Sequence, residues 1–233
     1  MGIRTRDFVL GSIDSRVTTI WSNGQETFED AQPKLYELKH QNISFAVIGK
    51  LLPVISEVEM GIAVRDKVNK MKTKQYRSAI NKIVSEYRKA YAEQVSNPYD
   101  NQSFVMVWGY NPKTSTPFLY KCESPKFKPE LVPLNEAFIL GYDGDVYKEN
   151  SIKIFKQLRI NSTVNLWEWV KQTFDSHHNQ YVNYPLFIHM YKKELLPWKS
   201  CTYLGDSLYD VTATLQNNSD HRSKFNVKLK YME

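Results

Sequence analysis

Cysteine is scarce in this 233-residue chain, which holds two, Cys122 and Cys201. They lie far apart and in no metal-ligand spacing, so both read as free thiols of a reducing compartment. Long apolar runs are missing as well. No stretch approaches the ~20 apolar residues that span a bilayer. In the first segment, MGIRTRDFVLGSIDSR, the residues Arg4, Arg6, Asp7, Asp14 and Arg16 interrupt every apolar run, which excludes a secretory signal. Arg6 stands where a myristoylation signal needs Ser or Thr. These absences predict a cytoplasmic protein without a membrane anchor. Zinc-finger spacing and the glycine-aromatic signature of RNA-binding modules are also lacking. The net charge of +6 and pI near 9.1 therefore do not make nucleic acid the expected partner. The excess gathers at Arg65, Lys67, Lys70, Lys72, Lys74, Arg77, Lys82, Arg88 and Lys89, which a solvated helix face explains. A nucleic-acid or nucleotide binder using these helices is the third functional reading, and a steep loss of binding with salt would mark it. No repeat, low-complexity stretch or linker divides the chain. Residues 1–233 read as one domain, large enough to bury roughly 70% of its unfolded surface.

What is present is a series of short apolar segments whose period changes along the chain. FVLGSID at 8–14 reads as a strand ending on a charge. After a polar loop holding Asn23-Gly24, KLYEL and ISFAVIG form a buried hairpin across His40-Gln41-Asn42. From Leu51 the period lengthens. Leu52, Ile55, Val58 and Ile62 predict a helix over 51–69, with Pro53 in its first turn, where a missing N–H has no partner to lose. Tyr76, Ile80, Ile83, Val84, Tyr87 and Tyr91 predict a second helix over 76–94, closed by Asn97-Pro98. SFVMVWGY and TPFLYKCE make a second hairpin, and AFILGY at 137–142 reads as another buried strand. Helical patterning returns at 151–159. It returns again after Ser162, a cap for the stripe Val164, Trp167, Val170 and Phe174. YPLFIHMYKKELLPWKS is apolar on both sides of two lysines and takes no single period. SLYDVTATL and FNVKLKYM end the chain as an alternating pair. This order predicts an α+β fold: a four-layer αββα sandwich of two packed antiparallel sheets flanked by helix pairs.

The same segments resemble the proteasome β-subunit-like family of N-terminal nucleophile (Ntn) hydrolases. FVLGSIDSRVTT, PKLYEL and ISFAVIGK match that family's opening strands. VMVWGYNPKTSTPFLYKCES matches its central hairpin, and AFILGYDG and GDSLYDVTATL match its later glycine turns. The resemblance implies the family's four-layer sandwich and its ring assembly. It also implies chemistry in which the first residue's hydroxyl or thiol attacks, its α-amine acts as base, and a lysine and an aspartate tune both. An amine suits this role because its ordinary pKa, near 7.7 to 8.0, lies close to working pH. Residue by residue, Asp14 takes the place of the aspartate, Arg16 of the supporting arginine and Lys34 of the lysine. The nucleophile has no counterpart; the resemblance places it a few residues ahead of Met1. Removal of the initiator would expose Gly2, which has no side chain to attack with. Thr5 would need processing that deletes most of the first strand. Tyr142 stands at the family's supporting serine, and WKSCTYL lacks the acid expected before the last glycine turn.

Other constellations are weaker. His177-His178 beside Asp175 has no third ligand spaced to close a metal site. Asp143 and Asp145 alternate, but the calcium-loop pattern fails after them. Cys201 meets a histidine, His189, only if folding brings them together. No cofactor is called for. With 15 tyrosines and 11 phenylalanines, and Trp167 and Trp169 on different sides of one helix, the chain carries aromatic surface suited to an interface. The expected protein is a catalytically inactive, cytoplasmic, proteasome-like homo-oligomer, or one that binds another protein. An Ntn peptidase or amidohydrolase with a different first residue is the alternative.

Overall fold

The computed structural model describes residues 1–205 apart from 31, 33, 39–41, 50–56, 72–74, 95–101, 159, 161–162, 178, 185 and 194–198. Sixteen elements follow one another among these residues. Six strands come first: β1 (Gly2–Arg4), β2 (Phe8–Ile13), β3 (Val17–Ile20), β4 (Glu26–Glu29), β5 (Leu35–Leu38) and β6 (Ile43–Gly49). Helices α1 (Glu57–Asn69) and α2 (Tyr76–Gln94) precede strands β7 (Ser103–Asn111), β8 (Thr116–Glu123), β9 (Lys128–Leu131) and β10 (Ala137–Phe138). Helices α3 (Gly144–Leu158) and α4 (Thr163–Asp175) lead to β11 (Leu186–Lys192) and β12 (Lys199–Gly205). The strands make two five-stranded sheets, ordered β10-β1-β2-β11-β12 and β5-β6-β7-β8-β9, and the separate pair β3-β4. Every pairing recorded is antiparallel.

Alternation along the strands sorts the apolar side chains into three clusters. Phe45, Val47, Val105, Val107 and Phe118 pack with Val64 and Val68 of α1 and with Ile80, Ile83, Val84 and Tyr87 of α2. Ile3, Leu10, Ile188 and Met190 pack with Phe155 of α3 and with Leu166, Trp169 and Val170 of α4. The third cluster joins the two sheets: Val9, Ile13 and Tyr191 meet Ala46, Met106, Trp108, Tyr110 and Leu119.

Trp108 is the centre of that junction. Its indole lies against Gly11, where an added Cβ would sit 2.5 Å from the ring, and its Nε1 donates to the His189 carbonyl at 3.0 Å. The His189 ring bonds the Ser44 hydroxyl through Nδ1, and Ser44 is 3.2 Å from the Tyr191 hydroxyl. The carboxylate of Glu37 lies 3.6 Å from His189 Nε2. Fully buried polar groups thus find partners across the two sheets.

Both hairpins read from the sequence are present, as β5–β6 and β7–β8. The two helix pairs are present as well. Several boundaries differ. The strand expected over 137–142 stops at Phe138, because the chain turns through Gly141 (φ 116°) and Asp143 (φ 54°), and α3 then starts at Gly144. The polar loop around Asn23-Gly24 is itself a hairpin, β3–β4, turned by Gly24 at φ 81°. The segment without a period supplies β11 and the first two residues of β12. The expected helix start at 51–56, the Asn97-Pro98 stop, the Ser162 cap and the last strand pair lie outside the described residues.

Two outcomes follow from the junction. Gly11→Val drives a side chain into the Trp108 ring and should lower stability by about 3 kcal/mol. Adding Trp108→Leu should cost less than the sum of the single changes, measured by denaturant unfolding. Burial pushes the His189 imidazole down to about 4 from an ordinary 6.5. The unfolded chain then takes up a proton that the folded one refuses. Stability from this group is complete above pH 6.5 and drains away as pH falls towards 4, by up to about 3 kcal/mol. Urea midpoints across that interval should show the slope, and His189→Asn should flatten it.

Candidate functional site

β2, the central strand of the first sheet, ends at Ile13 and is followed by Asp14, while Lys34 immediately precedes β5 of the other large sheet. Folding brings the two together. Lys34 Nζ donates to Asp14 Oδ1 at 2.9 Å and to the Arg16 carbonyl at 2.6 Å. The other oxygen of Asp14 accepts the Arg16 N–H at 2.9 Å, a short side-chain turn that fixes the carboxylate. Both members of the pair are largely withdrawn from solvent, with side chains 9% and 13% exposed.

Arg16 points the other way. Its guanidinium takes Asp30 in a bidentate pair, Nε to Oδ1 at 2.7 Å and Nη2 to Oδ2 at 2.9 Å. That bonding raises the pKa of Arg16 and lowers that of Asp30. Arg16 Nη1 reaches the Gln180 carbonyl at 2.6 Å, and Asn183 Nδ2 donates to Asp30 at 2.8 Å. The 180–183 segment is thereby strapped across the Asp14–Arg16 turn, and Ser15 N–H bonds the Asn183 carbonyl at 3.3 Å. Sequence reading places Asp14, Arg16 and Lys34 here, but it misses Asp30, Gln180 and Asn183. No local signal marks the last two, which arrive from a segment without regular period.

At the start of β1 the residue is Met1. Its nitrogen donates to the Ser12 carbonyl at 2.8 Å. Burial lowers the amine to about 5, and the Asp14 charge works against that fall. The resemblance puts the attacking residue ahead of Met1, yet Met1 already reaches the field of Asp14. The Met1 thioether is 4% exposed and packs in the cluster beneath α3 and α4. Thr5 is committed to the β1–β2 turn, where its hydroxyl accepts the N–H groups of Asp7 and Phe8 and donates to the Phe8 carbonyl. Tyr142 is 62% exposed and its ring lies tilted against that of Tyr181, with centroids 4.7 Å apart. Burial, helped by the charges of Asp143 and Asp14, pushes the Tyr147 hydroxyl up to about 12. That hydroxyl donates to the His177 carbonyl at 2.9 Å.

The remaining candidates separate. His177 Nε2 and Asn179 Nδ2 both bond Asp143 Oδ2, at 2.8 and 3.0 Å, while Asp175 turns to Lys171 and Tyr184. His178 lies outside the described residues. Among the described residues, no group of three or more His, Cys, Asp or Glu is arranged to hold a metal. In the β11–β12 ladder Cys201 stands opposite Met190 and His189 opposite Thr202, while the His189 ring is bonded to Ser44. Burial pushes the Cys122 thiol up to about 12, which leaves it inert as a nucleophile. Part of the basic helix face is neutralised, because Glu86 bonds both Lys67 at 2.7 Å and Lys82 at 2.6 Å. Among the described residues, no helix is long and apolar enough to cross a membrane.

No protein-family model matches the chain, and no curated protein matches it in sequence. Among solved structures it is similar to Anbu (ancestral beta-subunit) from Yersinia bercovieri, with a TM-score of 0.61 and 12% identity. The likeness covers 91% of this chain and 89% of that one. At such identity it speaks for the fold alone, and the fold of this chain is proteasome-like.

Proposed function

We propose that residues 1–233 form one domain, a four-layer αββα sandwich. In this reading it is a catalytically silent, cytoplasmic, proteasome-like protein that works by assembling with its own copies or by binding another macromolecule. Three apolar clusters, one between the sheets and one under each helix pair, support the layering. The silent reading rests on one observation. The residue at the start of β1, whose amine lies in the field of Asp14, carries a buried thioether, which has neither a hydroxyl nor a thiol to activate. Assembly is supported by the exposed aromatic and aliphatic side chains and by the solved relative, whose name makes it a beta-subunit.

A second reading has its own support. The Lys34–Asp14 pair, with Arg16 beside it, is intact. A Thr, Ser or Cys at the start of β1 would complete an Ntn peptidase or amidohydrolase there. Turnover decides between the two. The purified chain should hydrolyse no member of a fluorogenic peptide panel above background, since loss of a covalent nucleophile costs on the order of 10⁶ in a well-studied protease. Lys34→Met should lower stability by about 3 kcal/mol, because it strands a buried carboxylate. Asp14→Asn added to Lys34→Met should restore part of that loss. Turnover that vanishes in a folded Lys34→Met variant would instead establish the enzyme. For assembly, light scattering at micromolar concentration should show a species larger than the 27.3 kDa monomer. A monomer at every concentration contradicts self-association.

A further inference from the structure

Seven large apolar side chains are exposed among the described residues, and five of them sit around the β3–β4 hairpin and the turn into α3: Ile20, Trp21, Phe28, Tyr142 and Val146. The hairpin register pairs Thr18 with Phe28 and Ile20 with Glu26, so Ile20, Glu26 and Phe28 share one face. Tyr181 closes on that face. Its ring lies 6.3 Å from Phe28, its hydroxyl is 3.2 Å from Glu26 Oε1, and the Tyr142 ring lies tilted against it with centroids 4.7 Å apart. Three rings and a carboxylate therefore converge at the surface. Phe28 already carries one cation, the Arg16 guanidinium, 5.1 Å from its centroid.

The charge around this rim opposes that of the whole chain. Residues 14–34, 141–146 and 177–184 hold six carboxylates against two cations, a net of −4 in a chain of +6. Both cations are held internally, Lys34 by Asp14 and Arg16 by Asp30. The bonds that reach Glu26 and Glu29 come from Gln and Tyr side chains, which leave the negative charge in place, while Asp143 meets His177 and Asn179. A polyanion is repelled here. Aromatic faces beside a carboxylate are the composition that takes an ammonium or guanidinium group.

We propose that this rim is a docking surface for a basic segment of a partner protein. A Lys or Arg side chain enters among Phe28, Tyr142 and Tyr181 against Glu26, and the flanking apolar residues cover Ile20. The proposal rests on the reading that the chain works by binding, and it names the chemistry of what is bound.

The test uses the full chain and three fluorescein-labelled octapeptides with identical Leu positions and Arg, Gln or Glu between them. Anisotropy should show the Arg peptide binding about tenfold tighter than the Gln peptide, and the Glu peptide not at all. Affinity should fall as salt rises. Glu26→Gln and Tyr142→Ala should each weaken the Arg peptide about fivefold without moving the melting temperature. Leu131→Ser, on the edge strand β9, should change nothing. Equal affinity for the Arg and Gln peptides, or indifference to both rim variants, overturns the proposal. If the rim variants instead abolish self-association of the unlabelled chain, the occupant is a second copy and the proposal is wrong. Mass spectrometry of the same samples keeps the two readings apart: cleaved peptide contradicts the silent reading, whereas intact peptide without binding contradicts only this inference.

Discussion

The seating of Trp108 against Gly11 is the contact on which the rest of the molecule depends. It presses a strand of one large sheet onto a strand of the other at a glycine, where no Cβ intervenes, and the indole N–H bonds the His189 carbonyl. Ser44, His189 and Tyr191 add a polar seam across the same junction. Fixing the sheets there has a consequence a few residues away. Gly11 lies on the strand that ends before Asp14, and Lys34 lies at the head of β5 in the opposite sheet. The Asp14–Lys34 pair therefore spans the junction and forms only when the sheets are correctly seated. Fold and site share one constraint.

That dependence explains why the pair reads first as structure. Each member meets its bonding needs locally. Asp14 accepts from Lys34 and from the Arg16 N–H, and Lys34 donates to Asp14 and to the Arg16 carbonyl. Removing either partner leaves a largely buried charge without its counterpart, which is costly whether or not any chemistry takes place. Arg16 extends the arrangement outward through Asp30 to the 180–183 segment, so the turn, the hairpin and that segment form one bonded unit. The aromatic rim stands on this unit, since Phe28 carries Arg16 and Tyr181 follows directly after Gln180.

Much of the fold was legible in the sequence because alternation and helical periodicity are local. KLYEL–ISFAVIG, SFVMVWGY–TPFLYKCE and the two helix pairs carry their patterns openly, and resemblance singled out Asp14, Arg16 and Lys34. The elements that were hidden depend on distant partners. The β11 strand reads LFIHMYK, apolar on both faces because Ile188 and Met190 pack under α3 and α4 while Phe187 and Tyr191 face the other large sheet, so it has no alternation to find. The β3–β4 hairpin stands outside the large sheets, and its turn around Asn23-Gly24 is polar, so it read as a loop. Gly11 looked like any glycine in an apolar run, and only the folded chain shows the indole that requires it.

The account turns on the identity of the residue that begins β1 beside Asp14. Intact-mass measurement with N-terminal sequencing of the protein from its native source tests this most directly. The account predicts that the residue set beside Asp14 in the mature chain carries neither a hydroxyl nor a thiol. A mature chain that begins at Thr, Ser or Cys and sets that residue against Asp14 and Lys34 would contradict it.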